Sequence, residues 1–375
     1  MSFFNSNIFS KSDNSVIGID IGSSSLKIVQ IKKERGRAVL QTYGELGLGP
    51  YNKLSIGQIV TLAPDQLASI ILDLLKEAGI TTSVGGMSIP LKLSLVTVMD
   101  IPKVEEREER NVVELEARKY IPVSISEVTL DYSVIPQVDD SSLEFIESES
   151  DDDKQTKKET PERKQKVLLV AIHNQVLNNY SKIVQDSNLN IQFFEVEAFA
   201  TARGSLSGER SPSMIIDVGA ASVKIYIIDN GVLLSSHNIN RGGQDISFSI
   251  SKGLGVPFDQ AEHLKRSLGK VKIQEEAKIR ELISIHEEFI ISEVKTVLST
   301  FQKNMNVTVL KIILTGGGSS LDGFMDKIQN NFSCKVEEAD PFSKLESPVS
   351  LHETLKQTGT TFSTAIGLAL RALQS

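Results

Sequence analysis

Thirteen residues near the start of this chain return, in register, in its second half. Ile19-Asp20-Ile21-Gly22-Ser23-Ser24-Ser25-Leu26-Lys27-Ile28-Val29-Gln30-Ile31 aligns with Ile216-Asp217-Val218-Gly219-Ala220-Ala221-Ser222-Val223-Lys224-Ile225-Tyr226-Ile227-Ile228, with seven identities that include Asp20/Asp217, Gly22/Gly219, Ser25/Ser222 and Lys27/Lys224. Each copy reads as an apolar strand, a turn of Asp-x-Gly-small-small-Ser and a second apolar strand, the pattern of a β-hairpin. A chain that carries the same unit twice is constrained to two related lobes. The turn chemistry suits phosphate. Small residues after Gly22 and Gly219 leave backbone N–H groups open to an anion. Asp20 and Asp217 stand at strand ends, where a carboxylate can hold Mg²⁺ through water. Two such hairpins facing each other would clasp a nucleotide's phosphate chain.

At 375 residues the chain exceeds one compact core and fits two domains with insertions. A hydrophobic fraction of 40% and a charged fraction of 23% are globular values. The net charge of −8, with no basic stripe, argues against nucleic acid as a partner. Cys334 is the single cysteine, so no intramolecular disulfide can form, in keeping with a reducing compartment. Met1 to Ser15 lacks a basic leader followed by an apolar core, and no run approaches the roughly 18 apolar residues of a membrane span. The expectation is a soluble, cytoplasmic protein. His173, His237, His263, His286 and His352 are scattered without cysteine partners, which speaks against a zinc site.

Between the repeats, Leu67, Ile70, Ile71, Leu74, Leu75 and Ala78 fall at helical spacing between Pro64 and Gly79. Strands are expected at Met87–Ile89, Leu93–Val98, Val128–Ile135, Val167–Ile172 and Leu310–Leu314. Helices are expected at Val104–Tyr120, with an acidic first turn, around Val176–Val184, at Ile279–Phe301, and at Phe362–Leu373. His286 lies on the apolar side of the Ile279–Phe301 helix and reads as a packed core histidine. Residues 137–166 change character. Asp151-Asp152-Asp153 precedes a run of lysines with few apolar residues, as in a mobile loop or a partner-binding segment.

The paired hairpins resemble the phosphate 1 and phosphate 2 motifs of the actin-like ATPases, the fold shared by actin, DnaK-type chaperones, sugar kinases and the division protein FtsA. Further segments resemble that family's motifs in chain order. Thr315-Gly316-Gly317-Gly318-Ser319-Ser320, after a strand, is similar to the adenosine motif, although a glycine triplet alone is also a common flexible turn. Glu195-Val196-Glu197-Ala198-Phe199-Ala200-Thr201-Ala202 resembles the first connecting helix, and Ala365-Ile366-Gly367-Leu368-Ala369 the second, where small residues let two helices cross as a hinge. The resemblance would make Glu197 the residue that orients an attacking water, though its neighbours differ from the Glu-Pro-Thr/Leu-Ala form of chaperones and FtsA. Ala261-Glu262-His263-Leu264-Lys265 resembles the helix that reaches the nucleoside, with Glu262 on the ribose and Lys265 along the adenine; a solvated charged face is the other reading.

An inserted segment from about Ile89 to Ile172 has the layout of the FtsA subdomain, and the sequence ends at Ser375 without the amphipathic helix that FtsA carries. Ala117-Arg118-Lys119-Tyr120-Ile121-Pro122, Leu130-Asp131-Tyr132 and Val196-Glu197-Ala198-Phe199-Ala200 make the resemblance closest to the PilM family of type IV pilus and type II secretion machines. The implied fold class is α/β, a two-lobed actin-like ATPase fold of duplicated mixed-sheet lobes with an inserted FtsA-like α/β subdomain. The implied boundaries are a disordered 1–15; lobe I at 16–88, 173–210 and 360–375; an insertion at 89–172; and lobe II at 211–359, with a subdomain near 241–304. The implied cofactors are ATP and Mg²⁺. Asp20 and Asp217 would bind the metal through water. Gly22, Ser23, Ser24, Ser25, Lys27, Gly219, Ala220, Ala221, Ser222, Glu262, Lys265, Gly316, Gly317, Gly318 and Ser319 would bind the nucleotide. The implied role is a scaffold with weak or no ATPase activity. It would grip the cytoplasmic N-terminal peptide of a PilN-like inner-membrane protein near Leu91–Ile101 and Val104–Tyr120, and so meet the membrane and other pilus proteins through partners. An FtsA-like filament-forming ATPase and a small-molecule kinase are the alternatives.

Overall fold

The computed structural model describes residues 15–136, 164–208 and 210–374. The expected N-terminal segment 1–15 and the charged stretch 137–166 lie outside these residues except at their inner ends. Ser15 opens the first strand. Lys164, Gln165 and Lys166 are paired strand rather than loop, opposite Pro102, Ile101 and Asp100.

In chain order the first sheet begins with β1 (Ser15–Ile21), β2 (Ser25–Glu34) and β3 (Arg37–Gly47), followed by α1 (Pro64–Glu77) and β4 (Val84–Ile89). The insertion comprises β5 (Ser94–Pro102), α2 (Glu106–Ala117), β6 (Val128–Val134) and β7 (Lys164–His173). The chain then returns through α3 (Asn174–Asp186), β8 (Asn190–Val196) and α4 (Glu197–Ser205). The second half runs β9 (Ser213–Val218), β10 (Val223–Asp229), β11 (Val232–Ile239), α5 (Gly243–Leu254), α6 (Phe258–Ser267) and α7 (Glu276–Met305). It closes with β12 (Lys311–Thr315), α8 (Phe324–Asn331), β13 (Lys335–Glu338), α9 (His352–Thr358) and α10 (Ser363–Ala372).

The two large sheets are topological copies. One has the order β3-β2-β1-β4-β8 and the other β11-β10-β9-β12-β13. In each, an antiparallel meander of three strands is followed by two parallel strands. The repeat in the sequence is therefore the central hairpin of each sheet, and the sheets are mixed as its strand–turn–strand reading requires. A third, antiparallel sheet, β5-β7-β6, forms the insertion.

Strand alternation explains how these sheets share a core. On β10, Val223, Ile225 and Ile227 face the interior of the second lobe, while Tyr226 and Ile228 belong to the cluster that also holds Ile17, Ile19 and Met87 of the first. On β7, Val167, Leu169 and Ala171 meet Val113 and Ala117 of α2, whereas Leu168, Val170 and Ile172 join the shared core. Burial on both faces is why β7 reads as an unbroken apolar run.

The helix α2 is shorter than Val104–Tyr120 because Glu105 is extended and Tyr120 closes a turn onto the Ala117 carbonyl. The long helix α7 exceeds the expected Ile279–Phe301 at both ends, and His286 is buried on it with Nε2 2.6 Å from Ser249 Oγ. The helices α4 and α10 cross almost backbone to backbone. A Cβ on Gly367 would lie 1.9 Å from the Ala200 carbonyl oxygen, and one on Gly204 2.0 Å from that of Ser363.

A cleft built from two copies of one hairpin

Asp20 and Asp217 occupy equivalent places, each one residue before the end of the first hairpin strand and each opposite a lysine, Lys27 and Lys224. The turns close with the same bond, Gly22 N–H donating to Ser25 O and Gly219 N–H to Ser222 O, both at 3.0 Å. Both aspartates are 8% exposed and open into one cavity of about 420 Å³ between the lobes. That size suits a small-molecule ligand.

Of the residues expected to bind phosphate or nucleoside, Gly22, Ser23, Ser24, Ser25, Lys27, Gly219, Ala220, Glu262, Lys265, Gly316, Gly317 and Gly318 line this cavity, as does Glu197. Three do not. Ala221 and Ser222 line a neighbouring cavity instead, which Gly219 borders as well. Ser319 is 1% exposed, and its hydroxyl donates to the Gly316 carbonyl 2.7 Å away, closing the turn from within; Ser320 lines the cavity in its place.

Gly316 has φ +82°, and a Cβ there would fall 2.4 Å from Asp217 Oδ1. The glycine turn thus sets the room in which the Asp217 carboxylate sits. The Gly316 N–H donates to the Thr360 carbonyl at 2.9 Å, tying the second lobe to the turn that leads into α10.

The carboxylates are held differently. Asp20 Oδ1 accepts from Ser88 Oγ at 2.8 Å. Asp217 Oδ2 lies 3.4 Å from Lys224 Nζ, which donates at 2.7 Å to Glu197 Oε2. The other Glu197 oxygen accepts the Leu91 N–H at 2.7 Å, where the chain leaves β4 for the insertion. Burial pushes the Glu197 carboxyl up, with Lys224 opposing and Asp217 and Asp20 reinforcing the rise. Burial alone would depress the Lys224 ammonium, but Glu197 and Asp217 outweigh it and raise it. Three carboxylates thus surround one ammonium, and the pocket keeps an excess of negative charge that suits a divalent cation. Among the described residues no group of three or more His, Cys, Asp or Glu side chains is arranged to hold a metal directly.

On the α6 side, Glu262 accepts from Lys265 Nζ at 2.7 Å, Ser247 Oγ at 2.5 Å and Arg266 Nε at 2.6 Å. Lys265 also donates to the Gly243 carbonyl and meets Ser247 Oγ. The pair is a satisfied buried network rather than a solvated face, and its edge lines the cavity. Burial pushes Glu262 up, but Lys265, Ser247 and Arg266 together hold its carboxyl below the ordinary carboxylate value. A depressed folded pKa contributes stability above the unfolded value that is lost as pH falls through the folded one. Acidification from about pH 5 to about pH 3 should therefore loosen α6 from α5. Amide exchange across Phe258–Ser267 should rise more steeply than that of α7, and equal rises would contradict this.

Several cavity residues carried no signal in the sequence. Thr360 and Thr361 arrive from the turn that precedes α10, Thr364 from its first turn and Asp322 from beyond β12. Ile59 N–H donates to Gln244 Oε1 at 2.6 Å, so the loop after β3 reaches across to α5. Lys224 had a signal in its match to Lys27, but the two have diverged. Lys27 donates to Ser25 Oγ at 2.8 Å and lies 3.5 Å from Glu45.

A second cavity of about 310 Å³ lies behind the hairpin turns, lined by Leu62, Leu67, Leu93, Tyr180 and Ile183, and shares Gly22, Ser23, Glu197, Gly219 and Lys224 with the first. No helix among the described residues is long and apolar enough to cross a membrane.

The family described as type IV pilus assembly protein PilM matches residues 18–147 and 151–373. The cell division protein FtsA of Bacillus subtilis is 25% identical over 358 residues, covering 87% of this chain and 78% of that protein. Among solved structures, the PilM-PilN type IV pilus biogenesis complex is similar with a TM-score of 0.77 at 21% identity, over 96% of this chain and 99% of that one. MreB 5 of Spiroplasma citri, bound to AMPPNP, has a TM-score of 0.50 at 13% identity, over 95% of each chain. These likenesses establish an actin-like ATPase fold of two lobes.

Proposed function

The chain belongs to the type IV pilus assembly protein PilM family, and from that premise we propose that it is a nucleotide-regulated scaffold of a pilus inner-membrane complex. The single observation that carries the nucleotide half is that two copies of one Asp-Gly hairpin, from two sheets, open into one cavity. In this reading the turn amides at Gly22–Ser25 and at Gly219–Ala220 hold phosphates, with Lys27 at the mouth. Asp20 and Asp217 anchor a hydrated Mg²⁺, which when bound offsets phosphate charge. Gly316, Gly317 and Gly318 lie under the nucleoside, and Glu262 and Lys265 face it from α6.

Slow turnover is in keeping with the position of Glu197, whose oxygens are tied to the Leu91 N–H and to Lys224 instead of being left open toward a water on the phosphate side. Calorimetry tests the nucleotide half directly. Mg-ATP should bind with one-to-one stoichiometry and lose affinity when magnesium is chelated; no saturable binding would overturn the reading.

The partner half rests on the family and on the second cavity. We assign it the apolar N-terminal peptide of a PilN-like membrane protein, through which the chain would meet the inner membrane. The cavity supports this occupant because most of its exposed wall is apolar and because Pro90, Lys92 and Leu93 bring the start of the insertion to its rim. Helix α2, expected to take part, contributes nothing to the lining. Leu93→Asp should weaken a fluorescent synthetic peptide of that N-terminus about tenfold or more while Mg-ATP affinity stays put. Equal peptide affinity would remove the cavity from consideration.

A further inference from the structure

The nucleotide cavity and the second cavity are separated by a wall of few side chains, and the central members of that wall are Glu197 and Lys224. A continuous line of polar contacts runs through it. Asp217 of the second lobe meets Lys224 at 3.4 Å, Lys224 meets Glu197 at 2.7 Å, and Glu197 meets the Leu91 N–H at 2.7 Å. Leu91 is 7% exposed and begins the Leu91–Leu93 turn, with Pro90 before it and Leu93 facing the second cavity.

We propose that the Lys224–Glu197 pair is a relay, by which phosphate in the first cavity resets the Leu91–Leu93 turn at the rim of the second. The inference rests on the nucleotide reading above and adds the residues that transmit occupancy. The contacts are unequal, and that inequality makes the pair responsive. Lys224 holds Glu197 closely and Asp217 loosely, in a buried site with more carboxylates than cations. A magnesium triphosphate remains net anionic, so its phosphates, only partly neutralised by the hydrated Mg²⁺, attract the ammonium and repel the carboxylate. Lys224 is drawn toward the first cavity, and Glu197 is pushed back onto the one donor it keeps, the Leu91 N–H. A carboxylate that loses its ammonium becomes the stronger acceptor for that N–H, so the turn is held more tightly when nucleotide is bound. Coupling requires such an element with two arrangements that both ligands bias.

Lys27, the counterpart of Lys224 in the first hairpin, has no such role. It contacts Ser25 and Glu45 on its own sheet and does not line the second cavity. Both duplicated hairpins thus reach the first cavity, but only the second hairpin supplies a lysine to the wall shared with the second cavity.

Amide exchange at Leu91, followed by NMR in the full chain with and without saturating Mg-AMPPNP, tests the relay. In the parent protein nucleotide should slow Leu91 exchange about tenfold or more. In Lys224→Gln that nucleotide-dependent difference should vanish, and in Lys224→Arg it should return. Glu197→Gln, which keeps an oxygen for the Leu91 N–H, should also lose it. A purely structural pair would instead raise exchange equally in both states. The same slowing in Lys224→Gln as in the parent, or bound nucleotide with no change at Leu91, overturns the relay alone. Absence of calorimetric binding to the parent protein sinks the nucleotide reading as well.

Discussion

Asp217→Ala should raise the dissociation constant of Mg-ATP about hundredfold or more, and Asp20→Ala should do the same, as expected when a charged hydrogen-bonding group is lost from a buried site. The apo fold should survive. Removing Asp217 leaves Lys224 its closer partner, Glu197, and lowers the crowding of like charge around it. Removing Asp20 frees only the Ser88 hydroxyl, which still accepts from the Ile21 N–H. Thermal melts of both apo variants should stay near that of the parent while calorimetric binding disappears. The informative control is Asp217→Asn, which keeps the shape beside Gly316 but not the charge. If charge toward a hydrated cation is what Asp217 provides, Asn should lose nearly as much affinity as Ala. Unchanged affinity in both alanine variants would end the assignment of this cleft.

Gly367→Val should be among the most destabilising single changes outside the apolar core. The crossing of α4 and α10 leaves no volume for a side chain, since even a Cβ would sit 1.9 Å from the Ala200 oxygen. The neighbour in the way is backbone, which cannot rotate aside as a side chain can. The helices would have to separate, and α10 is buried along nearly its whole length against β1, β2 and β4. A cost of about 3 kcal/mol or more is expected from overpacking, lowering the melting midpoint by roughly 5 °C or more. Gly367→Ala should show much of the same loss. A melt of Gly367→Ala indistinguishable from the parent would mean the two helices are not in backbone contact.

How much of this was legible in the sequence depends on the range of the interaction. The hairpins, the helix after Pro64, the strand Val167–Ile172 and the buried side of α7 follow from local periodicity and turn residues, and all stand where the pattern put them. Boundaries were less secure where tertiary contacts compete with pattern. Lys164–Lys166 look like a charged loop but are strand, because β5 offers them partners across the sheet. Ser319 looks like a ligand contact in the glycine run. Its hydroxyl instead finds the Gly316 carbonyl three residues back, a local bond that wins because the turn brings the two atoms together.

Taken alone, the amino-acid order established the duplication, and with it two lobes, two matching Asp-x-Gly turns and the equivalent placing of Asp20 and Asp217. A repeated strand–turn–strand pattern is short-range information, written in consecutive residues and unaffected by what packs elsewhere. The divergent fates of Lys27 and Lys224, the arrival of Thr360, Thr361 and Thr364 at the cleft, and the wall that Glu197 shares between two cavities were decided only on folding. The cleft threonines and the shared wall join segments far apart in the chain, and Lys224 finds Glu197 because α4 packs beside β10, a placement that no periodicity encodes.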